Sequence, residues 1–262
     1  GPGRAGAALR CARRAEGGAP GGALLLGGRY RKLRRDLSQS PWLIGGEQKG
    51  GGSVQEVIES WAAPALRADS FKFVAAGRED LDVRMLGRGR PFILEVFNPR
   101  SRPPSADEWR ERSRQLADAG RGVEVLSFQS VSRELYGRMK EGESEKEKTY
   151  GALVWTSRAL SEEDVDLISN TKDLAIQQAT PVRVLHRRAA LTRERSIIEM
   201  RCHPIPGRPN YAFLVLRTSA GTYIKEFVHG DFGRTLPNLG SLLGCSAEIL
   251  QLDVLDIHLD FL

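Results

Sequence analysis

The chain has 262 residues, with 39 Lys+Arg against 33 Asp+Glu, a formal net charge of +6 and 40% hydrophobic residues. That length supports a sizeable packed core, and no run approaches the roughly 18 apolar residues of a membrane-spanning helix, which excludes that class. Cys11, Cys202 and Cys245 are far apart with no CxxC pair, which argues against a disulfide scaffold or a cysteine-rich zinc site and for a reducing compartment.

Residues 1–35 hold nine Lys/Arg and one acid, Glu16, so the basic excess sits at the start and the remainder is nearly balanced. Residues 1–28 form a Gly/Ala/Arg-rich segment, which predicts disorder, with residues 29–262 as the folded domain. The Arg-rich, acid-poor start keeps an organelle open beside nucleus and cytoplasm. Residues 36–42 read as an extended arm and 45–52 as a loop. Ser53 caps a helix to residue 66, with Val54, Val57, Ile58 and Trp61 on one face. Strands are predicted over 71–76 and 91–98. A capping box, Ser105 with Glu108, opens a helix to residue 119. A strand over 123–132, a helical stretch over 132–140, a charged loop over 141–148 and a strand over 149–157 follow. Ser161 starts a short helix. Further strands are predicted over 177–188, 196–203 and 211–219, then a helix near 236–243 and a strand pair or one bent strand over 247–261. The sum is α+β: a mixed, mainly antiparallel sheet flanked by helices, with a central cleft.

Four segments carry candidate chemistry. In Gly77-Arg78-Glu79-Asp80, followed by Asp82 and Arg84, an acid between arginines stays ionised, which suits a nucleophile or base, although charged loops are more often structural. In Lys148-Thr149-Tyr150, Tyr150 shares a strand face with Ala152 and Val154. It reads as core or as a platform for stacking a base. Arg183, His186, Arg187 and Arg188 form a dense basic strand, either a solvated face or a phosphate contact. In Gly221-Thr222-Tyr223-Ile224-Lys225, an extended chain would point Tyr223 and Lys225 the same way. There is no Walker A, GxGxxG, HExxH or GxSxG, and His186, His203, His229 and His258 show no metal-ligand spacing, so no metal is expected.

Together these segments resemble pseudouridine synthases, which carry a catalytic aspartate in a G-R-x-D loop, a tyrosine in a K/R-T-Y strand and a G-T-Y-I-R/K motif. Residues 77–92, 180–188 and 221–234 are similar, more narrowly, to the archaeal and eukaryotic family acting on uridines 54 and 55 of the tRNA T-loop. The family's THUMP-containing region with paired cysteines has no counterpart in these 262 residues. The resemblance implies the pseudouridine synthase fold and isomerisation of uridine without metal or small-molecule cofactor. It implies tRNA as partner, and a monomer is the default expectation. Asp80 would act at the sugar, and Lys225 would keep it ionised and positioned. Tyr150 would stack on the uracil and Tyr223 would line the same pocket. Leu242, with Leu239 or Leu243, would close the apolar side. Arg78, Arg183, His186, Arg187 and Arg188 would hold the RNA. Two other readings are a non-catalytic structured-RNA-binding module and a metal-dependent hydrolase built on Asp80 and Asp82.

Overall fold

Long alternating segments give this chain one large sheet, and the computed structural model describes residues 23–262 of it. The strands are β1 (Leu24–Lys32), the short pair β2 (Leu43–Ile44) and β3 (Glu47–Gln48), β4 (Ser70–Ala75), β5 (Arg84–Phe97), β6 (Val123–Ser130), β7 (Lys148–Thr156), β8 (Lys172–Ala179), β9 (Thr192–Ile205), β10 (Arg208–Thr218), β11 (Thr235–Leu236) and β12 (Ala247–Ile257). The helices are α1 (Val54–Leu66), α2 (Ala106–Asp118), α3 (Arg133–Glu145), α4 (Glu162–Asn170), α5 (Ile224–His229) and α6 (Leu239–Leu243). The sheet runs β11-β8-β9-β10-β7-β12-β5-β1-β6, with β4 also paired to β5. Its pairings are antiparallel except at the middle, where β12 meets β5 in parallel through Asp253–Arg84 and Val254–Met85. The α+β class follows from this arrangement.

Local signals set the helix starts. Ser53, Ser105 and Ser161 each accept a hydrogen bond from the backbone N–H three residues on, and the last two close full capping boxes. Helices α1 and α2 are fastened to the sheet by aromatic packing: Trp61 and Trp109 lie 5.0 Å apart between ring centres, and each packs on Phe128. Phe128 stacks on Phe92, which with Phe73 flanks Tyr30. Tyr30 is fully buried and leads from this core to the candidate site.

Several expectations need correction. The disordered segment was expected to reach residue 28, but Leu24 to Gly28 belong to β1, with Leu25 and Leu26 buried. Gly28 is there because the strands press close: a Cβ would lie 2.9 Å from the Leu126 carbonyl oxygen. Residues 1–22 of that segment lie outside the described residues. The charged loop over 141–148 is mostly helix, because α3 runs to Glu145 and packs Gly142 under Leu259. The basic strand over 177–188 does not exist as such. Strand β8 ends at Ala179, and Pro181, with a fixed φ and no N–H, opens a 3-10 turn at Val182–Val184. The Thr180 hydroxyl donates to the carbonyls of Ala189 and Leu191 and closes this excursion. Of the two readings of residues 247–261, the single bent strand holds: residues 247–257 form one strand with two bulges.

Candidate active site

The loop after β4 is built by side chains that grip its carbonyls one after another. Arg90 donates to Ala76 O at 2.8 Å and Gln39 to Gly77 O at 2.7 Å. Lys32 is completely buried and donates to Asp80 O at 2.9 Å and Leu81 O at 3.1 Å, while its third bond goes to Leu37 O. Arg35 donates to Asp82 O at 3.1 Å. Gly77 has φ +84°, which permits the turn out of β4. Beneath the loop, Glu79 takes the Arg90 Nε–H at 2.8 Å and the Tyr30 hydroxyl at 2.9 Å, and Gln39 donates to that hydroxyl. The basic residues near the start of the described chain are thus spent largely inside the fold. Arg29 likewise donates to the carbonyls of Gly89, Leu259 and Phe261.

This foundation presents Asp80 at the mouth of a cleft of about 380 Å³. Its Oδ2 accepts from Arg183 Nη1 at 2.8 Å and lies 3.6 Å from Lys225 Nζ. Lys225 is closer to Asp82, at 2.8 Å. Arg183 is oriented by Glu226, whose side chain is 1% exposed and accepts from the Arg183 Nε–H at 2.6 Å. The guanidinium also sits 5.8 Å from the centre of the Tyr223 ring. Gln178 fixes the start of α5 by bonding both the N–H and the C=O of Tyr223. Val83, Val184, Ile224, Leu252 and Val254 supply the apolar lining.

The cleft brings together Arg78, Asp80, Tyr150, Arg183, Arg187, Arg188, Tyr223 and Lys225. Three expectations change. Lys225 is within ion-pair reach of Asp80, but Arg183 is the nearer cation and stands beside Asp80 in the cleft. Tyr223 and Lys225 do not share a strand face; Tyr223 caps α5 and Lys225 lies in its first turn. Leu242 lies in α6 and is absent from the cleft lining, as are Leu239 and Leu243, and His186 is exposed on the turn outside it. Sequence reading also missed Arg193 and Arg195, which extend the basic wall from β9. Arg78, Arg187, Arg188, Arg193 and Arg195 have no carboxylate in ion-pair range among the described residues.

Burial tunes the groups inside. The Tyr150 phenol is pushed up to about 12 by burial, so it stays protonated at neutral pH. Burial likewise lowers Lys148 to about 8, with the positive charge of Arg90 adding to the effect. Burial opposes the charge of Asp82, but the hydrogen bonds and charge of Lys225 prevail and hold its carboxyl below the ordinary value. No cluster of three metal-ligating side chains occurs among the described residues.

Residues 25–258 match the family described as "Pus10, C-terminal". The chain is 48% identical over 240 residues to the "tRNA pseudouridine synthase Pus10" of Mus musculus, covering 92% of this chain and 45% of that protein. It is 38% identical over 233 residues to the protein of the same name from Thermofilum pendens, covering 88% of this chain and 52% of that protein. The chain therefore spans about half the length of the curated relatives it matches. Among solved structures it is similar to a chain from the crystal structure of a Cbf5-Nop10-Gar1 complex, at 16% identity and a TM-score of 0.44, covering 87% of this chain and 47% of that one.

Proposed function

The chain belongs to the Pus10 C-terminal family, and on that premise we propose that it isomerises uridine to pseudouridine in the tRNA T-loop, at position 54, 55 or both. The observation that carries this reading is Asp80 at the cleft mouth, 2.8 Å from Arg183 and 3.6 Å from Lys225, with Tyr150 and Tyr223 lining the same cleft.

The reaction breaks the N1–C1′ bond, turns the uracil and joins C5 to C1′. C5 gives up its proton and N1 regains one, so atoms balance without an external redox partner. The target nucleotide leaves the stack to reach the cleft. Asp80 works on the ribose, as nucleophile at C1′ or as base at C2′, with Arg183 and Lys225 positioning its carboxylate. Tyr150, protonated and neutral, offers its ring to the uracil. The apolar lining keeps water from the detached base. The unpaired arginines of the basic wall face a polyanion, whose phosphates they suit. The names of the relatives from Mus musculus and Thermofilum pendens support tRNA as the substrate class.

The test is incubation of the chain with a tRNA T-loop transcript, followed by chemical mapping of pseudouridine. The reading expects product at position 54, 55 or both. A transcript that is bound but gains no pseudouridine favours the non-catalytic module instead.

A further inference from the structure

Phe232 is 96% exposed, the most open of the large apolar side chains among the described residues. Nothing about its loop is slack. Gly230, Asp231, Phe232 and Gly233 have φ of 81°, 48°, 57° and 84°, four successive residues in the left-handed region, two of them not glycine. Such backbone persists only where surroundings over-determine it. They do so here. Gly230 O accepts from the N–H groups of Gly233 and Thr235, both at 3.1 Å. The Asp231 carboxylate is buried and accepts from Val182 N at 3.2 Å, and Arg234 donates to Thr180 O at 2.7 Å. The loop is therefore bolted to the start of the 181–188 turn, whose Arg183 pairs with Asp80 and whose Arg187 and Arg188 line the cleft.

The ring thus stands on a rigid frame, outside the cleft lining, on a loop hydrogen-bonded to the turn that carries Arg187 and Arg188, two arginines with no carboxylate in ion-pair range among the described residues. Val182 and Leu185 on that turn and Leu236 after the loop are also exposed. A flat apolar ring on a loop tied to a turn of unpaired arginines matches a nucleotide, which has a π-face and a phosphate. We propose that Phe232 is a stacking platform for an unpaired base of the RNA substrate, separate from the pocket that takes the target uridine. This rests on the reading that the chain acts on RNA. It adds a second point of grip, which would set the angle at which the RNA meets Asp80.

The test uses the full chain and a tRNA T-loop transcript, with binding measured across a salt series and 2-aminopurine placed singly at each unpaired T-loop position. The wild-type chain should quench the probe at one position besides the reacting uridine. Phe232→Ala should lose that quench and weaken binding by at least about fivefold, the lower end for loss of a stacked base. Its salt slope should stay the same, because no charge is removed. Phe232→Trp should restore both, and Phe232→Leu should restore neither, because it supplies apolar bulk without a ring. The Ala variant should melt as the wild type does, since the ring buries nothing. Wild-type affinity in Phe232→Ala, or full rescue by Leu, would overturn the proposal and reassign the patch to a protein contact. Pseudouridine mapping of the wild type separates the two readings. Product with an indifferent Phe232 sinks only the platform. A ring-dependent affinity without product sinks only the isomerase reading.

Discussion

Glu79 and Asp80 are adjacent carboxylates on one loop. The first has a side chain 1% exposed against an Arg90 that is 2% exposed, and the second is 34% exposed at the cleft mouth. Both oxygens of Glu79 are engaged by Tyr30, one also by Arg90, inside the protein. Both cations of Asp80 approach Oδ2, and no hydrogen bond among the described residues reaches Oδ1. The two acids share chemistry and neighbourhood but not solvent access. A saturated, dry ion pair holds a loop in place, whereas a carboxylate about a third exposed, with its Oδ1 unengaged among the described residues, is free to meet a substrate.

Breaking the buried side should have the largest effect on stability. Arg90→Met strands Glu79 without its cation and should cost about 3–5 kcal/mol in urea unfolding, while adding Glu79→Gln should recover part of that loss. The exposed side should respond in rate. Arg183→Ala should slow single-turnover pseudouridine formation about a hundredfold, the usual scale for one preorganised donor at a reacting charge. Lys225→Ala should do less harm, because Lys225 is farther from Asp80, and Lys225→Arg should restore part of the rate. Farther out, replacing Arg187 and Arg188 together with Ala should weaken transcript binding and reduce the salt slope by about 1.4–1.8, as two phosphate contacts are lost. The smallest effect concerns pH. The folded protein holds Lys148 at about 8, below its ordinary 10.5, so between those values the unfolded chain binds more protons at this residue and its contribution to stability rises with pH. Lys148→Met should flatten part of that rise in thermal melts, leaving the share of Lys32, which is lowered by burial in the same way.

What the sequence made legible was local. Serine caps at 53, 105 and 161 and the alternation of β7 and β10 are written in neighbouring residues. The motifs around Asp80, Tyr150 and Lys225 are also contiguous, and they converge on one cleft. What escaped depends on distant partners. The start of β1 reads as low complexity because its glycines make sense only against distant residues, Gly28 against Leu126 and Phe128 of β6 and Gly27 against Val131 and Phe261. The grip of Lys32, Arg35 and Gln39 on the Asp80 loop spans more than 35 residues in each case, so in the linear chain their charge and amide groups look like side chains turned to water. Arg183 was placed on a strand that Pro181 interrupts, and only the resulting turn swings it onto Asp80 and Glu226. The resemblance points to Leu242 for the apolar side, but the lining comes from Val184, Ile224 and the β12 residues Leu252 and Val254.

The contrast between the two carboxylates can be measured in one experiment: pseudouridine yield in a single turnover on the T-loop transcript, with Asp80→Asn and Glu79→Gln compared at a temperature where both are folded. Asp80→Asn should melt and bind RNA as the wild type does and form no pseudouridine, because the lost oxygen acts only at the reacting sugar. Glu79→Gln should melt at lower temperature and still form product. Pseudouridine from Asp80→Asn, with its loss in Asp82→Asn, would contradict the account and move the chemistry to the neighbouring carboxylate.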